Sequence, residues 1–268
     1  MPNNFTFFKK KSKKIRNIIL ETALNAGKGH VPPALSWVEL GVYFFYSKTF
    51  DFLSNLKNKD KFILSKGHGC LTIYSILYDL KFIKKKDIEK FSGEGSLLPG
   101  HPDTKINKIE NCSGSLGHGV AVGCGKALAL KYKNTTKKVV VLLGDGECQE
   151  GSVWESFIFA SQNNLDNLVV IIDYNKLGAT DFINNTGNLS PLKKKIVSFG
   201  FDVLEVNGHS FNDINKKFKI INKKNKKPKC IIANTIKGRG ISFMENSKNW
   251  HHQLPKDEQI KLAKKELL

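Results

Sequence analysis

Asp145 stands between two glycines in Gly144-Asp145-Gly146, and Asn175 follows it thirty positions later. A carboxylate and a carboxamide are both oxygen donors suited to a hard divalent cation. The flanking glycines let the backbone turn sharply and approach a ligand closely, as they do in phosphate-binding loops. A bare carboxylate beside a diphosphate would repel it, so an acid in such a loop makes sense when a cation lies between the two. Magnesium suits that place, because it takes near-octahedral oxygen ligands shared among one or two side chains, phosphates and water. Calcium is the alternative. Taken alone, Gly-Asp-Gly also reads as an ordinary strand-ending turn and Asn175 as an ordinary loop residue.

The elements around these residues favour the cation site. Residues 139–143 and 168–172 are continuous apolar runs of strand length, and 152–160 between them has helical spacing. In such a β-α-β unit the strands run parallel and ligands collect beyond their carboxyl ends, where Asp145 and Asn175 fall. Helical spacing also covers 14–27 and 35–47, around a loop with Gly29, His30, Pro32 and Pro33. Residues 62–64 read as a strand leading into Gly67-His68-Gly69, then 71–80 as a helix. Residues 92–118 are glycine-dense without period, 120–132 is a helix whose Gly123, Gly125, Ala127 and Ala129 permit close packing, and 201–206 and 230–234 are strands. This alternation predicts an α/β fold, a doubly wound, mostly parallel sheet flanked by helices. At about 100–200 residues per domain, 1–268 is expected to be one domain with a helical N-terminal segment and a short C-terminal tail.

Of the seven histidines, His30, His68, His101 and His118 lie beside glycine or proline, and therefore in turns. Neutral imidazole both donates and accepts, so it can move the protons that carbon–carbon cleavage of a polyol requires. A lone Gly-His turn also reads as a hydrogen-bonded surface histidine. Zinc is disfavoured: no His-x-x-x-His or Cys/His cluster occurs, and adjacent His251 and His252 are expected to diverge. A dinucleotide fingerprint fails on spacing and on the acid at position 145.

These motifs together resemble the transketolase family. Gly-Asp-Gly followed by Asn175, with Gln149-Glu150-Gly151, is similar to the family's thiamine-diphosphate motif. Gly29-His30, Ser65-Lys66-Gly67-His68, Pro99-Gly100-His101-Pro102, Gly114-Ser115-Leu116-Gly117 and Trp250-His251 stand in the family's order over roughly residues 20–260. The resemblance implies the thiamine-diphosphate-binding fold, with His30, His68, His101 and His251 around the reactive carbon. By the same resemblance Gly114, Ser115, Leu116, Gly144, Gly146, Glu147 and His68 contact the cofactor, and the Leu177 carbonyl joins Asp145 and Asn175 on the metal. Glu150 resembles the glutamate of an acidic network linking paired active sites.

Transketolase-type catalysis takes two α/β modules, and 268 residues are used up by the first. The resemblance thus implies the N-terminal subunit of a split enzyme that moves a two-carbon ketol unit between sugars or sugar phosphates. A C-terminal chain carrying the pyrimidine-binding module would complete it, in a two-plus-two heterotetramer. The alternatives are the α subunit of a 2-oxo acid decarboxylase or dehydrogenase, against which Pro-Gly-His-Pro and Trp-His argue, and a cofactor-binding subunit without turnover. His118 stands where the family more often has glutamine, and 176–182 lacks the family's Ile-Asp-Gly, which leaves the customary sugar-phosphate substrate open.

Composition fits a soluble enzyme: 40% hydrophobic and 25% charged residues. No apolar run approaches the ~20 residues of a membrane span. Phe5, Phe7 and Phe8 precede the basic run 9–14, the reverse of a secretory signal, so a cytoplasmic location is expected. Five cysteines without a Cys-x-x-Cys pair read as reduced thiols. The net charge of +19 is spread over clusters at 84–86, 137–138, 193–195 and 223–227 that lack interleaved aromatics. These read as solvated faces, with no specific nucleic-acid site; steering of phosphorylated substrates, an acidic partner chain and adventitious nucleic-acid binding are the remaining readings.

Overall fold

Five parallel strands form one sheet in the order β1-β2-β3-β5-β4. They are β1 (Lys61–Leu64), β2 (Val139–Gly144), β3 (Leu168–Tyr174), β4 (Asp202–Asn207) and β5 (Lys229–Asn234) in a computed structural model that describes residues 5–221 and 225–268. The helices are α1 (Phe5–Ala26), α2 (Val31–Leu35), α3 (Val38–Tyr46), α4 (Cys70–Asp79), α5 (Lys85–Glu89), α6 (His118–Tyr132), α7 (Gly151–Gln162), α8 (Ile183–Thr186), α9 (Leu192–Ser198), α10 (Phe211–Ile220) and α11 (Glu258–Leu267).

The apolar runs of β2 and β3 are continuous because both faces of the sheet are covered. Val140, Leu142, Val169 and Ile171 face one layer, in which Phe8 of α1, Phe44 of α3 and Phe218 of α10 pack. Val139, Val141, Leu143, Val170 and Ile172 face the other, against Val120 of α6, Phe157 of α7 and Ile196 of α9. Each such side chain, fully buried, contributes about 1.5–3 kcal/mol. The expected doubly wound, mostly parallel sheet is therefore what the chain adopts.

Helix α6 lies directly on the sheet. A Cβ at Gly119 would overlap Ser65, and one at Gly123 would overlap Val141. Ala127 is fully buried beside them. Gly125 and Ala129 face outward, so only half of the expected small-residue face is used.

Some boundaries differ from the sequence reading. Helix α1 begins at Phe5 rather than near residue 14. Pro32 and Pro33 lie inside the short helix α2, where a missing N–H in the first turn costs nothing. Helices α5, α8, α9, α10 and α11 fall in stretches to which the sequence reading assigns no element, although α10 buries one face through Phe211, Ile214 and Phe218 and α11 through Ala263 and Leu267. Part of the lysine cluster 223–227 lies outside the described residues. All five cysteines are free. Among the described residues no helix is long and apolar enough to cross a membrane.

Candidate functional site

Gly144, the last residue of β2, pairs with Asp173 of β3, and the chain turns at Asp145 into the short 3-10 turn Gly146–Gln149. Asp145 is only 2% exposed. One carboxylate oxygen accepts from the Gly146 N–H at 2.8 Å and the other from the Lys176 N–H. Burial and the neighbouring Asp173 raise its pKa to about 6, against the pull of those two N–H groups. A buried acid in this state gains strongly from a cation placed beside it. Asn175 follows β3 with its side-chain oxygen accepting from the Leu177 N–H at 3.1 Å. Both residues, with Leu177, line a cavity of about 260 Å³ at the carboxyl ends of β2 and β3.

The floor of this region is an ion pair. Lys66, at the end of β1, reaches Asp173 and also donates to the Pro33 carbonyl at 3.0 Å. Ser36 and Thr235 donate to the same carboxylate. Both charges are essentially inaccessible, at 1% and 0% exposure. Burial opposes ionising Asp173, but the Lys66 ammonium overrules it and holds the carboxyl below the ordinary carboxylate value.

Glu147 is a clamp on the loops. Its carboxylate accepts from the Ser65 hydroxyl, from the Gly117 N–H at 2.9 Å and from the Gly144 N–H at 3.2 Å. It thereby ties the ends of β1 and β2 to the start of α6. Gly117 needs its glycine, since φ is +82° and a Cβ would meet Glu150 at 2.9 Å. Gly114, Leu116, Gly144, Gly146 and Glu147 line the cavity. Ser115, His118 and Glu150 are exposed and outside its lining.

Four histidines converge on the mouth. His30 precedes α2, and its ring centroid lies 6.3 Å from His68, 5.9 Å from His101 and 5.5 Å from His251. His101 is carried by a loop hung on α4, where Tyr74 donates to the Pro99 carbonyl at 3.0 Å and Cys70 to the Gly100 carbonyl at 3.1 Å. The loop also presses on Gly67, whose Cβ would stand 2.8 Å from the His101 ring. All four rings are held neutral at neutral pH. Burial, then His252, His101 and Lys237, lower His30 to about 4. Burial and Lys237 lower His251 to about 3. Burial and Lys66 hold His68 well below the usual imidazole value, and burial lowers His101.

His251 and His252 do not diverge as the sequence suggested. His251 has helical backbone angles, φ −57° and ψ −42°, so successive side chains turn by about 100° rather than 180°. Their rings stand 4.6 Å apart, and His252 is 4.5 Å from His30.

Three residues of the site escaped the sequence reading. Lys66 enters the sequence reading only as part of a motif, and Asp173 falls just past the expected strand 168–172 with no role assigned. Lys237 is the third. It is 1% exposed and donates to the carbonyls of Leu177 at 3.2 Å and Gly178 at 2.5 Å, with its third contact to His251 Nδ1 at 2.7 Å. Burial and Lys66 lower its pKa to about 8. The signal was present: Lys237-Gly238-Arg239-Gly240 follows the end of β5, and Gly238 and Gly240 both have positive φ.

Residues 8–267 match the family described as transketolase, thiamine diphosphate binding domain. The chain is 37% identical over 258 residues to an apulose-4-phosphate transketolase subunit of Phocaeicola vulgatus, covering 96% of this chain and 92% of that one. It is 38% identical to the protein of the same name in Actinobacillus succinogenes, covering 99% and 98%. The crystal structure of transketolase from Campylobacter jejuni superposes with a TM-score of 0.90 at 28% identity, over 98% of this chain and 43% of that one. A cavity with an acid and an amide at successive strand ends, ringed by neutral imidazoles, is thus joined to a family match over nearly the whole chain, and the chain belongs to the transketolase family as part of a transferase, built on its thiamine-diphosphate-binding domain.

Proposed function

We propose that this chain, as one module over 1–268, is the diphosphate-binding subunit of a two-chain transketolase that moves a two-carbon ketol unit between sugars. The observation that carries this reading is the convergence of Asp145, Asn175, His30, His68, His101 and His251 on one cavity. Thiamine diphosphate and magnesium fit the residues present. Asp145 and Asn175 offer hard oxygen donors, and the buried, cation-seeking Asp145 carboxyl explains why an acid lies in a diphosphate loop. The Leu177 carbonyl can join them, because it has a second lone pair beside the one that Lys237 uses. Calcium would suit the same oxygens.

Thiamine diphosphate, when bound, would supply the nucleophilic carbon that ketol transfer needs. The chain's own residues would do the rest. Gly114, Ser115, Leu116, Gly144, Gly146, Glu147 and His68 would seat the cofactor. His30 and His101, being neutral, can each take a proton from a substrate hydroxyl at one ring nitrogen and donate at the other, whereas His251, whose Nδ1 accepts from Lys237, presents its Nε2–H to substrate as a donor. Lys237 fixes the His251 ring through Nδ1, leaving Nε2 for substrate. Glu150, exposed at the start of α7, would face an acidic network across an interface between chains.

Two features support a separate partner chain with the pyrimidine-binding module, in a heterotetramer. The cavity of about 260 Å³ falls short of the roughly 300–1,000 Å³ of complete small-molecule pockets. Helices α6 and α7 expose Val122, Ile158 and Phe159 at 41%, 59% and 42%, apolar area that a partner would cover. The two relatives are named as subunits and for a phosphorylated sugar; a net charge of +19 would steer such anionic substrates. We place the enzyme in the cytoplasm.

Calorimetric titration of the chain and its partner with thiamine diphosphate should give magnesium-dependent binding that Asp145→Ala abolishes and Asn175→Ala weakens. His101→Ala should lower ketol transfer with cofactor affinity nearly unchanged. Unaltered affinity in Asp145→Ala, or ketol transfer by this chain with no second polypeptide present, would overturn the reading.

A further inference from the structure

His252 takes no part in the function proposed above. It does not line the cavity, yet it is drawn into contact with two histidines that do. One ring nitrogen from each of His30, His251 and His252 lies within 4.8 Å of the others. His30 and His251 sit on well-fixed backbone. His30 leads directly into α2, whose first turn is stiffened by Pro32 and Pro33. The segment before His251 is held by Trp250 against Phe243, with ring centroids 5.0 Å apart, and His251 itself by Lys237. His252 is exposed, with its ring packed 4.5 Å from His30 and 4.6 Å from His251.

The donor set differs in kind from that of Asp145 and Asn175. Three imidazole nitrogens without a carboxylate or thiolate select zinc, copper, nickel or cobalt over magnesium and calcium. Three protein ligands also leave a fourth, open position, as in zinc sites that bind exchangeable groups. Zinc–nitrogen bonds of about 2.0–2.1 Å place tetrahedral nitrogens about 3.3 Å apart, so the rings must close by up to about 1.5 Å from a spacing of at most 4.8 Å. A rotation of the exposed His252 ring and small shifts of the other two accomplish this.

We propose that His30, His251 and His252 form a binding site for one transition-metal ion of the zinc class at the rim of the cavity, and that filling it blocks the site. The ion would take a lone pair of His30 and, once Lys237 gives up a proton so that Nδ1 of His251 can carry one and Nε2 is freed, the Nε2 lone pair of His251; both are imidazoles that face substrate, so metal and substrate compete. The inhibition follows from the proposed ketol transfer, whereas metal binding itself does not depend on that activity.

The test uses the full chain carrying Cys112→Ser, which removes the exposed thiol as a competing ligand. Calorimetry with zinc and visible spectroscopy with cobalt should each show one ion per chain, with the intense absorption of a low-symmetry, nitrogen-ligated cobalt centre. Excess magnesium should not displace it. His252→Gln should keep the far-ultraviolet circular dichroism of the parent and lose affinity by roughly tenfold or more. Absence of binding, or equal affinity in His252→Gln, would overturn the site. With the partner present, zinc should inhibit ketol transfer and His252→Gln should resist it. Binding without inhibition would overturn the blocking role alone.

Discussion

Asp145 and Asp173 end adjacent parallel strands, one residue apart in register and both buried, yet their pKa values move in opposite directions. Asp173 meets an ammonium and two hydroxyls from this same chain. Asp145 meets two backbone N–H groups and the repulsion of Asp173. Residue type and position on the sheet are nearly the same, so the difference lies in what the chain supplies to each carboxylate. An acid whose charge is neutralised internally holds the fold together. An acid whose charge is left to something outside the chain marks the place where that something binds.

The largest effect should come from the self-sufficient side of this contrast. Lys66→Met leaves Asp173 buried without its cation, which should cost about 3–5 kcal/mol in denaturant unfolding. Adding Asp173→Asn to that variant should restore part of the loss, because the uncompensated charge is gone. A cost below about 1 kcal/mol for Lys66→Met would break the comparison at its base.

Glu39 sharpens it with a third buried carboxylate. Burial disfavours its ionisation, but Arg16, 2.7 Å away, and His209, 2.9 Å away, hold its pKa at about 2 against an ordinary 4.5. Because the folded value is depressed, the stabilisation is fully present above pH 4.5 and is lost as pH falls toward 2. Glu39→Gln should therefore be roughly 2–3 kcal/mol less stable than wild type at about pH 7. The gap should shrink steadily below pH 4.5 in equilibrium unfolding. A constant gap across that window would mean that packing, not charge, sets the loss.

The smallest effect on stability belongs to the site acid. Asp145→Asn, measured without cofactor, should unfold within about 1 kcal/mol of wild type or above it, since an unfavourably buried charge is removed. A loss of several kcal/mol would place Asp145 in the same class as Asp173.

The parts of the site legible in the sequence are those written locally. Continuous apolar runs at 139–143 and 168–172 located the two strand ends, and glycines beside His30, His68 and His101 located their turns. What escaped was written across the chain. Lys66 and Asp173 lie in separate strand regions, and no spacing rule links them until β1, β2 and β3 are laid side by side. Lys237 sits beside His251 for the same reason. Helix α1 was read short because lysines at positions 9, 10, 11, 13 and 14 mask an apolar face on which Phe8, Ile15 and Ile19 are buried. His252 was misplaced because adjacency was taken as divergence, which holds for extended backbone and fails for the helical turn it occupies.

The convergence of His30 with His251 also bears on how the chain reaches its native state. Strands β2 and β3 are close in sequence and joined by one helix, a contact that forms with little loop-closure cost. His30 and His251 come from opposite ends of the chain, and each reaches the cavity only after the intervening sheet is in register. Contacts of such long sequence separation are the slow ones. The histidine rim should therefore be completed late in folding, and a partly folded chain would hold the acid and amide ends of β2 and β3 before it holds the rim. Ligands that need only those two strand ends would meet the chain earlier than ligands that need the imidazoles.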